Sequence, residues 1–403
     1  MRILHTADWH LGKRLDNFSR LEEQRAVLDE ICRIADQQDA QVIIVAGDLF
    51  DTFNPPVEAT ELLYSTLKKL SNNGKRPVIA IAGNHDSPER IESPDALALE
   101  CGILFAGYPD AILRPVSIPD GFTITKSDKG FAEISLPESG ELLRVLITPY
   151  ANEVRLKEYF GEEKQLSLHN TLQQVWKSTA EAYCDAKGVN LLVTHLYMAK
   201  RGENAPEEPE GEKPLRIGTA DIVYSDAIPS EIQYTALGHL HRIQNTGTNE
   251  RPALYTGSPL QYSFSEAGQQ KYVCMLHAEP EKTVTVDKIP LSSGRTLHRK
   301  KFETVSDALL WLQKHPYTLV ELTVKTEQYL SAEDIKQLHN AHDGIIYIIP
   351  LASADQTENM PNEQINLDQD ITILFRDYFL SKHGQLPSQE ITDLLSEVLK
   401  QDI

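Results

Sequence analysis

Short, continuous apolar runs recur through the first two thirds of the chain, and most stop on a polar signature. They are MRILHTADWH (1–10), VIIVAGDLFD (42–51), PVIAIAGNHD (77–86), NLLVTHL (190–196) and YTALGHLH (234–241). β-Branched runs of this length, bounded by glycine, predict strands buried on both faces. Between the early ones, RLEEQRAVLDEICRIADQQ (20–38) sets Val27, Leu28, Ile31 and Ile34 at helical spacing. PPVEATELLYSTLKKL (55–70) does the same with Leu62, Leu63 and Leu67. Strand–helix–strand alternation predicts a layered α/β domain.

The pattern changes further along. ENAPEEPEGEKP (203–214) is too acidic and proline-rich to pack and predicts a mobile loop. Residues 283–350 hold TVTVDKIPL, SDALLWLQKH, YTLVELTVK, AEDIKQLHNA and GIIYIIPL, a pattern for a small α+β module. A polar linker (352–370) leads to two amphipathic stretches, one striped by Ile371, Leu374, Phe375 and Tyr378. The other carries Ile391, Leu394, Leu395 and Val398 after Pro387 and a candidate N-cap, Ser388. The expected division is 1–280, 281–351, 352–370 and 371–403. Helices as short as these are marginal alone and need a surface to cover, either the chain's own module or a partner's groove.

Composition narrows the class. With 41% hydrophobic and 24% charged residues, the chain is an ordinary globular sequence. Cys32, Cys101, Cys184 and Cys274 have no metal-like spacing, which points to free thiols and a reducing compartment. No secretory pattern and no run of about 18 apolar residues is visible, so the expectation is a cytoplasmic protein with no membrane partner. The net charge of −20 counts against a chain that grips phosphates unaided. A nucleic-acid substrate would need a local basic patch or a partner's positive field.

The polar signatures carry the chemistry: Asp8-x-His10, Gly47-Asp48, Gly83-Asn84-His85-Asp86, His195 and Gly238-His239-Leu240-His241. In open α/β sheets, ligands gather outside the carboxyl ends of strands, so these distant residues can meet in one cleft. Singly, each reads as a surface turn or a satisfied core histidine. All five, in order and each at a strand end, have no structural explanation. Asp8, His10, Asp48, Asn84, His195, His239 and His241 are too many ligands for one tetrahedral zinc. They suit two first-row divalent ions sharing a carboxylate. Glycines before Asp48, Asn84 and His239 allow tight, sometimes positive-φ turns. His85, beside a ligand but not one itself, is the candidate general acid. Asp86 is expected to orient its ring, and Asp51 to line the same pocket.

Over residues 1–241 the sequence resembles the calcineurin-like metallophosphoesterases, whose ordered pattern is D-x-H, G-D, G-N-H-D/E, H and G-H-x-H. No position departs from it. The resemblance implies a four-layer fold in which two mixed sheets are flanked by helices. It implies one metal held by Asp8, His10, Asp48 and His241, and another by Asp48, Asn84, His195 and His239. Where some relatives carry a second histidine near position 51, this chain has Asp51, so no proton shuttle is carried over there.

ILHTADWHLGKRL with SRLEEQRAVLDEI, and GSPLQYSFSEAGQQKYV (257–273), further resemble the bacterial branch of the double-strand-break repair nucleases. That resemblance implies Mn²⁺-dependent cleavage of DNA phosphodiesters, with exonuclease action on duplex ends in the 3′–5′ sense and endonuclease action on single strands and hairpins. It implies a capping module near the site and a coiled-coil ATPase gripped by the C-terminal helices. It also implies pairing through the helices 20–38 and 55–70, giving a homodimer within a heterotetramer. RTLHRKK (295–301) supplies Arg295, Arg299, Lys300 and Lys301 as candidate DNA contacts. The competing readings are a phosphodiesterase of small nucleotides and a DNA-end tether with a secondary metal site.

Overall fold

The first apolar run becomes strand β1 (Arg2–Thr6), followed by helix α1 (Leu21–Gln37), β2 (Val42–Val45), α2 (Val57–Leu70), β3 (Val78–Ile81) and β4 (Ile103–Ala106). These four strands lie side by side and parallel. Because strand side chains alternate, each buried strand serves two cores. Ile43, Val45, Val78 and Ala80 pack against Val27, Leu28 and Ile31 of α1 and Leu62 and Leu63 of α2. Val42, Ile44, Ile79 and Ile81 face the other way, into a second core.

That second core is closed by another sheet. The chain continues through β5 (Thr123–Asp128), β6 (Phe131–Ser135), β7 (Leu142–Thr148), helix α3 (Lys164–Tyr183), β8 (Val189–His195), β9 (Tyr234–Gly238), β10 (Gln244–Asn245) and β11 (Ala253–Tyr255). The sheet order is β10-β11-β9-β8-β7-β6-β5, with β7, β8, β9 and β11 parallel. Leu143, Val145, Leu191 and Val193 meet the first sheet. On the outer face, Leu168, Leu172, Trp176 and Ala180 of α3 cover Leu146 and Leu192. Helices, sheet, sheet and helix make the expected four layers. The chain then returns to the first sheet as β12 (Tyr272–His277), antiparallel to β1, and β13 (Thr285–Pro290), antiparallel to β12.

The small module is β14 (Thr296–Phe302), α4 (Val305–Lys314), β15 (Thr318–Thr326), α5 (Ala332–Ala341) and β16 (Ile345–Ala352). Its sheet has the order β14-β15-β16. Thr304 and Ser331 cap α4 and α5 by accepting from the Asp307 and Asp334 amides, each at 3.1 Å. The residues 285–290, read from sequence as part of this module, instead form the edge of the first sheet. Their alternating polar pattern reflects an edge position with one wet face, and the module's own sheet begins at Thr296. Leu297 and Leu319 of the module pack with Leu15 and Phe264 of the main body.

This computed structural model describes residues 1–137, 139–157, 164–204, 206, 222–326, 330–352, 372–376, 379, 387, 392 and 395. Residues 1–351 form one unit and 352–403 another. Most of the acidic loop, the polar linker after residue 352 and most of the tail stripes, including Ile371, Tyr378, Ser388, Ile391, Leu394 and Val398, lie outside the described residues. Among the described residues, no helix is long and apolar enough to cross a membrane.

Candidate metal centre

Five parallel strands, β1, β2, β3, β8 and β9, run their carboxyl ends to one edge of the two facing sheets. Each polar signature begins where its strand stops. The strand-end loops are cross-tied: the Asp8 amide donates to Gly47 O (3.0 Å) and the His10 amide to Asp48 O (2.9 Å). The His85 amide donates to Asp48 Oδ1 (2.9 Å), and the His239 amide to Asp8 Oδ1 (2.7 Å).

The backbone is strained at four of the candidate ligands. Asp8, His10, Asp48 and His239 have φ of 54°, 45°, 47° and 110°. Non-glycine residues hold such angles only where the surroundings over-determine them. The preceding glycines divide the remaining work. Gly47 has a positive φ of 89°. Gly83 and Gly238 have no such angle and are needed for space instead. A Cβ on Gly238 would lie 1.7 Å from Ala46 O, and one on Gly83 2.1 Å from Asp48 Oδ1.

All seven candidate ligands converge and are buried. Asp48 Oδ2 lies 3.5 Å from His10 Nε2 and 3.3 Å from His195 Nε2. Nε2 of His195 is 2.9 Å from Asn84 Oδ1, and its Nδ1 is 2.9 Å from the Ala46 carbonyl, which fixes the tautomer. His10 and His241 bring their Nε2 atoms to 3.0 Å. Ligand atoms of Asp48, His195 and His239 fall within 4.8 Å of one another, as do those of His10, Asp51 and His85.

Burial pushes the Asp8 carboxyl up to about 7, with the Asp48 charge adding to it against His195 and His10. Burial also opposes ionisation of Asp48, but His195, His10 and His85 outweigh it and hold that carboxyl well below its usual range. Among the described residues, buried Asp8 Oδ2 has no hydrogen-bond partner. A buried carboxylate oxygen left bare is a cost unless a cation meets it. Two carboxylates, an amide oxygen and four imidazoles therefore fit divalent first-row metal ions.

Asp86 is placed differently from the sequence expectation. Its carboxylate accepts the amides of Gly83 (2.8 Å), Leu49 (3.0 Å) and Phe50 (2.9 Å). It therefore ties two strand-end loops together, while the His85 ring is held by the Asp51 carbonyl, 2.7 Å from Nδ1. A carbonyl can only accept, so Nδ1 carries a proton and Nε2 is the atom that can exchange one. The Asp51 carboxylate lies 3.0 Å from Lys13 Nζ and 3.6 Å from His10 Nδ1.

Several supporting residues escaped the motif reading. Glu266 Oε1 sits 3.2 Å from His241 Nδ1, and Glu266 is ion-paired with buried Lys271. Lys271 Nζ also donates to His241 O (2.8 Å) and Ser258 Oγ (3.1 Å). Although burial opposes it, Lys271 and His241 hold the Glu266 carboxyl down to about 2. Arg155 donates to Gly83 O (2.9 Å) and Asp86 O (2.8 Å), clasping the loop that bears Asn84 and His85. The only sequence signal for the Glu266 brace is the stretch 257–273, which matches no metal pattern.

The basic stretch and the faces of α1 and α2 are engaged within the chain. Arg295 pairs with Asp343 (3.0 and 2.9 Å) and Arg299 with Glu321 (2.9 Å), while Lys300 Nζ lies 5.6 Å from the Trp311 ring centre. The basic stretch is thus largely matched by its own module. The apolar faces of α1 and α2, offered as dimer surfaces, are occupied by the chain's own first sheet.

The calcineurin-like phosphoesterase family model matches residues 1–225. The chain is 37% identical over 409 residues to the D subunit of the SbcCD nuclease of Bacillus subtilis (strain 168), covering 99% of this chain and 97% of that protein. It is 28% identical to the corresponding SbcCD nuclease protein of Staphylococcus epidermidis (strain ATCC 12228 / FDA PCI 1200), over the full length of both. With its motif residues gathered at one strand edge and full-length similarity to these relatives, the chain belongs to the calcineurin-like phosphoesterase family and, within it, to the SbcD nuclease family.

Proposed function

We propose that this chain is a DNA nuclease subunit that hydrolyses phosphodiesters, acting on duplex ends as a 3′–5′ exonuclease and on single strands and hairpins as an endonuclease. The observation that carries the reading is Asp48 Oδ2, within 3.5 Å of His10 on one side and His195 on the other. One ion would sit among Asp8, His10, Asp48 and His241, the other among Asp48, Asn84, His195 and His239. Bound there, two ions, Mn²⁺ in our reading, supply water activated near neutral pH and charge stabilisation at the phosphoryl oxygens.

The chain's own residues do the rest. Asn84 offers a neutral oxygen, limiting negative charge where a phosphate must enter. His85, oriented by the Asp51 carbonyl, delivers a proton from Nε2 to the leaving oxygen. Asp86 and Arg155 hold the loop so that ring and amide keep their separation. The SbcD relatives support a partnership of the tail (371–403) with an SbcC-type coiled-coil ATPase. Such a partner would supply the DNA-binding surface that a chain of net charge −20 lacks. We further assign a homodimer within a heterotetramer, working in the cytoplasm at the nucleoid.

The test is end-labelled duplex and hairpin DNA with Mn²⁺ or Mg²⁺, with and without the ATPase and ATP. Metal-dependent cleavage of DNA supports the reading. Turnover of bis-p-nitrophenyl phosphate with no cleavage of any DNA would replace it with a small-ester phosphodiesterase.

A further inference from the structure

Beside Asn84 opens a cleft of about 520 Å³ that none of the motif residues requires. Phe53, from the loop after β2, Tyr108, after β4, and Tyr150, Arg155 and Lys157, after β7, line it. The Arg155 guanidinium lies 4.8 Å from the Tyr150 ring centre and Lys157 Nζ 5.6 Å from that of Tyr108. The wall is built into the catalytic framework: the Tyr150 amide donates to Ala82 O (2.9 Å) at the end of β3, and Arg155 grips both ends of the 83–86 loop. Phe53 is 43% exposed and Val154, at the same cleft, 81% exposed, so apolar surface is offered to whatever enters. Glu89 also lines the cleft, but it accepts the Tyr108 hydroxyl at the ring's far edge.

Aromatic faces beside cations, next to a site for phosphodiester cleavage, match one ligand chemistry: a nucleobase stacked on a ring with its phosphate beside a positive charge. The volume lies in the range of single small-ligand pockets. We propose that this cleft is a subsite for one unstacked nucleobase next to the scissile phosphate, with Phe53 and Tyr108 as stacking surfaces and Lys157 facing the adjoining phosphate, while buried Arg155, held by the Gly83 and Asp86 carbonyls, stiffens the wall. The proposal rests on the nuclease reading and deepens it. The substrate at the cut is DNA with at least one unpaired nucleotide, so single strands, hairpin loops and frayed ends are preferred over intact duplex. Extruding a base is least costly where it is already unpaired.

The test uses the full-length, Mn²⁺-loaded protein and a single-stranded oligonucleotide with one abasic residue walked across the cut. The parent should lose about 5- to 150-fold in kcat/KM at one flanking position, the value of one stacked base. In Phe53→Ala and Tyr108→Leu the intact substrate should fall towards the abasic one, so that the discrimination disappears. Tyr108→Phe, which keeps the ring and loses the bond to Glu89, should retain it. The ratio of oligonucleotide to bis-p-nitrophenyl phosphate turnover should drop in the first two variants. Equal losses on intact and abasic DNA, or a parent indifferent to every abasic position, overturn the subsite while leaving the nuclease intact. Turnover of the small ester with no DNA cleavage overturns both.

Discussion

Residues 295–301 and the strand ends at 8–10, 47–48 and 83–86 are both dense in charged or imidazole side chains, yet the protein treats them in opposite ways. In β14 the basic residues follow one another along an edge strand, so alternation sends Arg299 and Lys301 to one face and Lys300 to the other. Arg299 then meets Glu321 on the neighbouring strand, and Arg295 meets Asp343. At the strand ends, residues from five segments point into one buried space. There the carboxylates, imidazoles and strained backbone are held in place by one another. Linear clustering dilutes a charge; convergence of strand ends concentrates it.

The largest break of that comparison is His85→Gln. If the ring at the convergent site is a general acid, turnover on DNA should fall by about 10²- to 10⁴-fold. Two metal ions per chain should remain by elemental analysis, because the Asn84, Asp48 and His195 positions are untouched. Loss of metal together with activity would make His85 a ligand instead, in line with its closeness to His10 and Asp51.

A smaller effect tests the ground behind the ligands. Glu266 lies next to Nδ1 of His241, and partners of this kind orient a metal-binding imidazole. Glu266→Gln should weaken Mn²⁺ binding by about 10- to 100-fold by calorimetry. Glu266→Asp, which keeps the charge at shorter reach, should fall between the two. A metal affinity equal to that of the parent in both variants would reduce Glu266 to a partner of Lys271 alone.

The two regions also explain what could be read from sequence. The apolar runs revealed three inner strands of the first sheet, β1 to β3, two of the second, β8 and β9, and the site edge, since strands buried on both faces must be continuously apolar and their ends must turn. The candidate ligands Asp8, Asp48 and His239 stand out in the sequence because polar residues after such runs have no packing reason to be there. The role of Asp86 was not legible: whether a carboxylate faces a ring or three amides depends on how two loops cross. Nor was Glu266, which is 25 residues from His241 in sequence and carries no spacing signal. Thr285–Pro290 was assigned to the wrong body because an edge strand's alternating pattern suits either sheet.

The smallest effect is expected in the basic stretch, and it sharpens the contrast most. A pair with one solvent-exposed partner such as Arg299–Glu321 is worth about 1 kcal/mol or less, so Arg299→Ala should hardly change stability. The same variant addresses DNA. A residue that contacts phosphate lowers the slope of log affinity against log salt by about 1 when removed. With Arg299 engaged by Glu321, the slope for Arg299→Ala should match that of the parent, as measured by titration of labelled DNA with the full-length chain across a salt series. Glu321→Gln sharpens the test by removing the engaged carboxylate. If Arg299 is held back by that pairing, freeing it should steepen the slope. A slope reduced by a full unit in Arg299→Ala would restore the stretch as a DNA contact and undo the contrast between clustered and convergent charge.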